Sequence, residues 1–126
     1  MIAALYAPPL VLLLFVLTMQ VVSRRKSRAI SLGDGGDPAL LARIRAHGNC
    51  AEYAPLGLLL MVVAELSGAA PAVVHLSGLA LVAGRLLHAW ALAWRGPFAA
   101  RAGGMVLTLT SLVLSSLAGL VGVLAA

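Results

Sequence analysis

Charge is scarce in this chain: only 10% of its 126 residues are Asp, Glu, Lys or Arg, where soluble domains carry about a quarter. With 62% hydrophobic residues and a mean hydropathy of +1.04, the chain has too little polar surface to cover a water-soluble fold. Cysteine occurs once, at Cys50, which excludes an intrachain disulfide and a cysteine metal cluster. No basic group is fixed beside that thiol, so Cys50 reads as a small buried residue, and no metal site is expected. The first apolar run, Ile2–Val22, has no acidic residue; small proton-coupled exporters place their working carboxylate there, and that class ranks last.

What is present is basic and unevenly placed. Nine Lys and Arg against four Asp and Glu give a net charge of +5. All but Arg85 lie in two stretches beside apolar runs. That placement fits anionic headgroups and membrane topology, and no nucleic-acid partner is expected. The length predicts one domain, 1–126, whose core is completed by lipid or by other subunits.

Four apolar runs, Ile2–Val22, Ala46–Leu66, Pro71–Trp94 and Gly104–Ala125, each approach the roughly 20 residues a helix needs to span hydrocarbon. The expected fold is an all-α, integral-membrane four-helix bundle, up-down-up-down and antiparallel, with helices at about 2–22, 38–67, 71–94 and 103–125. The first run is a retained anchor and not a cleaved signal, because its basic cluster, Arg24, Arg25, Lys26 and Arg28, follows it. Asp37-Pro38 supplies an N-cap and a first-turn proline, so helix two starts below its apolar part. Connections one and three are basic and connection two, Ser67–Pro71, is uncharged. The positive-inside rule therefore sets both termini outside the cytoplasm. On helix four, Ser111, Ser115 and Gly119 form a small-residue packing stripe.

The chemistry concentrates in Arg43–Tyr53. At about 100° per residue, Arg45, Asn49, Glu52 and Tyr53 share one face, while His47 points almost the opposite way. An intramembrane carboxylate needs a partner. In an ideal antiparallel hairpin about Gly68 and Ala69, Glu52 falls level with Arg85, and Asn49 with His88. Both pairs lie near the cytoplasmic edge of the hydrocarbon, Glu52 and Arg85 roughly 25 Å from the uncharged turn at 1.5 Å per residue. A Glu52–Arg85 ion pair is the expected contact. A packing role would need only one such pair. Arg45, Asn49, Glu52, Tyr53, Arg85 and His88 gathered at one depth, with cations in excess, indicate an anionic ligand. Glu65 and His75 lie at the opposite boundary and receive no function.

Arg43-x-Arg45-Ala46-His47-x-Asn49-x-x-Glu52-Tyr53-x-Pro55 resembles the helix-two signature of the MAPEG family, the membrane-associated proteins of eicosanoid and glutathione metabolism. Gly84-Arg85-Leu86-Leu87-His88-Ala89 is similar to helix three of bacterial members, and Arg101 with Gly103 and Gly104 to the start of helix four. The resemblance implies a homotrimer in the bacterial inner membrane, with glutathione as co-substrate between subunits near the cytoplasmic face. An arginine would stabilise the glutathione thiolate against a lipophilic electrophile from the bilayer. Carried over by position, Arg45, Asn49, Glu52 and Tyr53 would hold glutathione from helix two, and Arg85 and His88 from helix three. Arg24 or Arg25 would reach it from the first loop, and Arg101 would be the catalytic residue. Glutathione carries two carboxylates and one ammonium, so several guanidinium forks with a single Glu complement it. His88 and Leu92 stand where some eukaryotic members have tyrosines. That departure keeps a second reading open, a non-catalytic trimeric module binding a lipophilic or anionic ligand.

Overall fold

Helix ends in this chain are set by backbone chemistry more than by hydropathy. The computed structural model describes residues 1–126 and has a short 3₁₀ turn, Ala3–Tyr6, followed by four long helices and no strand. They are α1 (Ala7–Arg28), α2 (Pro38–Leu66), α3 (Pro71–Ala93) and α4 (Phe98–Ala125). All four are long and apolar enough to cross a membrane. Proline opens α2 and α3 at their first position, where a missing N–H costs nothing. The Asp37 carboxylate caps α2 by accepting from Ala39 N at 2.9 Å and Leu40 N at 3.2 Å. Pro55 sits inside α2 without ending it, as membrane helices tolerate.

Two boundaries differ from those expected. Helix one continues past Val22 to Arg28, ending at Ala29 in the left-handed region with φ 53°. Its last turn contains Arg25, Lys26 and Arg28, cations that favour the negative end of the helix dipole. Helix four starts at Phe98, five residues before the expected 103, directly after extended Pro97. Gly103 and Gly104 are therefore interior to α4, and Arg101 rides on its first turn.

Helices α3 and α4 pack closest, through glycine. A Cβ added to Gly104 would lie 2.7 Å from the Gly84 carbonyl oxygen, and one on Gly84 would lie 2.8 Å from that of Gly104. In lipid, where apolar burial gives no drive between helices, such backbone approach supplies the dispersion energy. The buried face of α4 runs Gly104, Thr108, Ser111, Ser115, Gly119, so the expected stripe is present and continues about two turns further toward the start of the helix. Ser111 Oγ donates to Ser77 O of α3 at 2.7 Å. On the other flank Leu10, Leu13 and Leu17 of α1 join Ala46, Cys50, Met61, Val74 and Leu81 in the apolar core. Val11, Leu12 and Phe15 of α1 and Val106, Val113 and Leu117 of α4 stay exposed, which is the surface lipid requires.

At the uncharged end, Glu65 anchors the 3₁₀ turn by accepting from Ala3 N at 3.0 Å and from Ile2 N. Tyr6 Oη bonds His75 Nδ1 at 2.8 Å. At the basic end the termini of all four helices meet around the first and third connections. Asn49, Arg85, His88 and Thr108 lie about one to three turns in from that end.

Candidate functional site

Arg85 is the polar centre of the interior. It is 1% exposed, the largest fully buried side chain in the protein. The Gly84–Gly104 approach brings α4 near enough for Arg85 Nε to donate to Thr108 Oγ1 at 2.9 Å. Thr108 in turn donates to Gly104 O at 2.8 Å. A second guanidinium nitrogen, Nη1, donates to Asn49 Oδ1 on α2, and Nη2 meets Met105 Sδ at 3.4 Å. The Tyr53 ring lies 5.3 Å from the guanidinium carbon, a cation–π contact. One arginine thus ties α2, α3 and α4 together through neutral partners.

The expected Glu52–Arg85 ion pair does not form. The intrachain ion pairs join Arg24 and Arg28 to Asp37, and the amino terminus to Glu65. The hairpin register estimates depth but not rotation. Arg85 points into the junction of three helices, where Asn49 also reaches, whereas Glu52 is exposed on α2 and is not bonded to Arg85. Asn49 and Glu52 are three residues apart and diverge by about 60° around the helix axis, enough to separate one that pairs with Arg85 from one that does not.

Beside this buried centre lies a cavity of about 240 Å³, lined by Ile44, Arg45, Gly48, Asn49 and Glu52 of α2, His88 and Leu92 of α3, and Arg101 of α4. Asn49 and His88, expected at one depth, face the same cavity. Arg45, Glu52 and Arg101 are exposed at its walls, while His88 is buried. None of Arg45, Glu52 and Arg101 is held in an intrachain ion pair, so their charges remain free for a ligand. Two guanidiniums face one carboxylate there, with a third cation, Arg85, bonded behind Asn49.

Five of the nine candidate residues therefore meet in one cavity: Arg45, Asn49, Glu52, His88 and Arg101. Arg85 and Tyr53 do not line it; Arg85 bonds Asn49 of the wall, and Tyr53 lies against Arg85. Arg24 and Arg25 stand apart from the cavity: Arg24 clasps Asp37 through Nε at 2.9 Å and Nη2 at 3.1 Å, and Arg25 donates to Gly33 O at 2.7 Å. The Arg24 clasp holds the Asp37 carboxyl below the usual carboxylate range, aided by the backbone donors of the cap. Thr108 and Met105 escaped the sequence reading, because a hydroxyl or a thioether in an apolar run looks like packing. The signal was available: Thr108 continues the stripe of Ser111, Ser115 and Gly119 toward Gly104 at helical spacing. Cys50 is buried and free, as expected, and no group of His, Cys, Asp and Glu is arranged to hold a metal ion.

Four membrane-crossing helices with a cation-rich pocket let into one end define a small multi-pass membrane protein with an intramembrane polar site. The MAPEG family model matches residues 3–121. The chain is 41% identical over 120 residues to the inner membrane protein YecN of Escherichia coli K12, an alignment covering 95% of this chain and 91% of that protein. YecN of the O6:H1 strain matches to the same extent. The chain belongs to the MAPEG family, and it is a multi-pass inner membrane protein.

Proposed function

We propose that the protein is a glutathione-dependent membrane transferase or peroxidase acting on a lipophilic electrophile. The observation that carries this reading is the convergence of Arg45 and Arg101 with Asn49, Glu52 and His88 on one cavity at the basic end of the bundle. In the proposed complex Arg45 forks a glutathione carboxylate, Asn49 and His88 bond the peptide, and Glu52 receives the ammonium. Arg85 acts from behind by fixing Asn49 and adding positive potential. Arg24 and Arg25 of the same subunit are assigned no contact. The cavity is open on the bundle surface, so a second subunit of a homotrimer would close it, and both termini would lie outside the cytoplasm.

Arg101 is the catalytic residue of this scheme. A thiol of pKa near 8.5 is mostly protonated at neutral pH, and a cation in a partly dry site lowers it by about 1–3 units. The thiol proton leaves to water. The sulfur attacks the electrophilic carbon, a C–S bond forms, and the leaving group departs with its electron pair. With a hydroperoxide instead, the sulfur takes the terminal oxygen and releases an alcohol; a second glutathione then yields the disulfide and water. The substrate enters sideways from lipid, past the exposed apolar faces of the helices.

Titration of the detergent-solubilised protein with glutathione tests the proposal. Binding at or below millimolar concentration is expected, with a thiolate absorbance that disappears in Arg101→Ala and weakened binding in Arg45→Ala. No binding at millimolar glutathione would overturn it. One observation favours a non-catalytic binding module instead: the α3 wall of the cavity is His88 and Leu92, with no tyrosine hydroxyl. Turnover of a model electrophile well above the buffer reaction rules that reading out.

A further inference from the structure

A second polar cavity lies at the same end of the bundle, apart from the one just described. It measures about 500 Å³ and is lined by Arg24, Arg28, Ile30, Gly35, Gly36, Asp37, Pro38, Ala39 and Arg95. It shares no residue with the Arg45–Arg101 cavity. Three guanidiniums face one carboxylate, leaving two positive charges over. Asp37 is satisfied by Arg24 at 2.9 Å and touched by Arg28 at 3.4 Å. Arg95 has no carboxylate partner and is exposed.

Arg95 also occupies a costly backbone position. Its φ is 56°, in the left-handed region, just after the C-cap of α3. Glycine is the usual residue there, and a residue with a Cβ is disfavoured by roughly 1–2 kcal/mol. An arginine retained at such a site points to work for its side chain. Its surroundings indicate what that work is. Trp90, Trp94 and Phe98 flank it and are 47%, 44% and 77% exposed. Exposed aromatics at the end of membrane helices lie at the headgroup level. The cavity therefore opens at the depth where lipid phosphates lie, on the basic side of the protein.

We infer that the Arg24–Arg28–Arg95 cavity is a binding site for the phosphate headgroup of an anionic membrane lipid. Arg95 and Arg28 grip the phosphate, and Arg24 stays on Asp37, holding the first loop and the start of α2 as the floor of the site. The acyl chains run down the exposed apolar flank of the bundle. A net-anionic headgroup is favoured over a zwitterionic one because the two surplus charges are otherwise unmet. Near an anionic surface each basic residue contributes roughly a fivefold preference; a cavity that grips one phosphate makes that preference depend on which residue is lost.

The test is native mass spectrometry of the full-length protein released from nanodiscs of equal phosphatidylglycerol and phosphatidylcholine. Three variants are compared: Arg95→Asn, Arg28→Gln and Lys26→Gln. Asparagine tolerates the left-handed region, so Arg95→Asn removes the charge without new backbone strain. Each variant loses one positive charge, but Lys26 lies outside the cavity. Retained phosphatidylglycerol should fall at least tenfold in Arg95→Asn and Arg28→Gln, and by no more than the roughly fivefold of diffuse surface charge in Lys26→Gln. Glutathione binding should stay unchanged in all three, separating this outcome from any failure of the proposed activity. Equal losses in the three variants would reduce the effect to diffuse charge and overturn the site. Displacement of the lipid by millimolar inorganic phosphate would assign the cavity to a soluble anion and overturn the lipid. If Arg95→Asn fails to fold, Arg28→Gln decides alone.

Discussion

Two adjacent glycines of α4 should respond in opposite ways to the same added methyl group. A Cβ on Gly104 would lie 2.6 Å from His88 N and 2.7 Å from Gly84 O, both backbone atoms, whereas ordinary contact begins near 3.4 Å. Backbone cannot rotate aside, so Gly104→Ala forces α3 and α4 apart by roughly 0.7 Å. Overpacking of this kind costs about 1–3 kcal/mol, and the better helix propensity of alanine returns about 1 kcal/mol. The expected net effect is a loss of about 0–2 kcal/mol. A Cβ on Gly103 meets nothing within 4 Å, so Gly103→Ala should keep the full gain of about 1 kcal/mol. The site amplifies the difference, because His88 and Arg101 line the cavity from opposite sides of the α3–α4 seam. Displacements near 1 Å can cost a hundredfold in positioning. Thermal unfolding in detergent should therefore rank Gly103→Ala above the parent and Gly104→Ala below it. Glutathione titration should show at least tenfold weaker binding for Gly104→Ala alone. Equal stability and equal affinity in the two variants would refute the claim that glycine contact at this seam sets the cavity.

Thr108→Val removes the acceptor of Arg85 Nε at nearly constant volume, leaving a buried N–H of a guanidinium unpaired. A loss of about 1.5–3 kcal/mol is expected; a change below about 0.5 kcal/mol in detergent unfolding would show that the bond contributes little. Asp37 should make the first loop acid-sensitive. Because Arg24 holds the folded carboxyl below its usual range, its stabilisation is complete above the unfolded value of about 3.9. It is lost as pH falls through the lower folded value. Thermal midpoints measured from pH 6 to pH 3 should fall for the parent protein and show less acid dependence in Asp37→Asn; parallel curves would contradict this.

The fold was legible because its determinants are local. Runs of about 20 apolar residues, joined by short connections with charge on alternate sides, allow few arrangements other than an antiparallel bundle. Helix ends were less legible where hydropathy and hydrogen bonding disagree: α1 continues through Arg24, Arg25 and Lys26 because Arg24 finds Asp37, Arg25 finds Gly33 O and Lys26 is exposed, while their amides stay in the helix. The hairpin symmetry set depth correctly, since Asn49 and His88 share a cavity. It failed for Glu52 and Arg85 because rotation about a helix axis depends on a third helix, α4, held close by Gly84 and Gly104. Thr108 was hidden for the same reason. Its place on the small-residue stripe was legible, but only the α3–α4 seam reveals that its hydroxyl has a buried cation to bind.

Arg85 itself leads to the last prediction. Its partners inside the chain, Asn49, Thr108, Met105 and the Tyr53 ring, are all neutral. Hydrogen bonds from these groups disperse the charge without cancelling it. The cavity on the far side of Asn49 therefore feels a positive field, to which Arg45 and Arg101 add and from which only Glu52 subtracts. A unit charge about 8 Å from an anion, at an effective dielectric near 20, contributes about 2 kcal/mol. Arg85→Met conserves much of the side-chain volume and removes that field. Glutathione affinity should fall by at least tenfold, although Arg85 does not line the cavity. A packing defect would also weaken binding, so the comparison needs a ligand without the carboxylate charges. Glutathione diethyl ester should lose far less affinity than glutathione in the same variant. Equal losses for the two ligands would mean that Arg85 serves the site only by holding Asn49 in place, and that the buried charge is not what draws the anion.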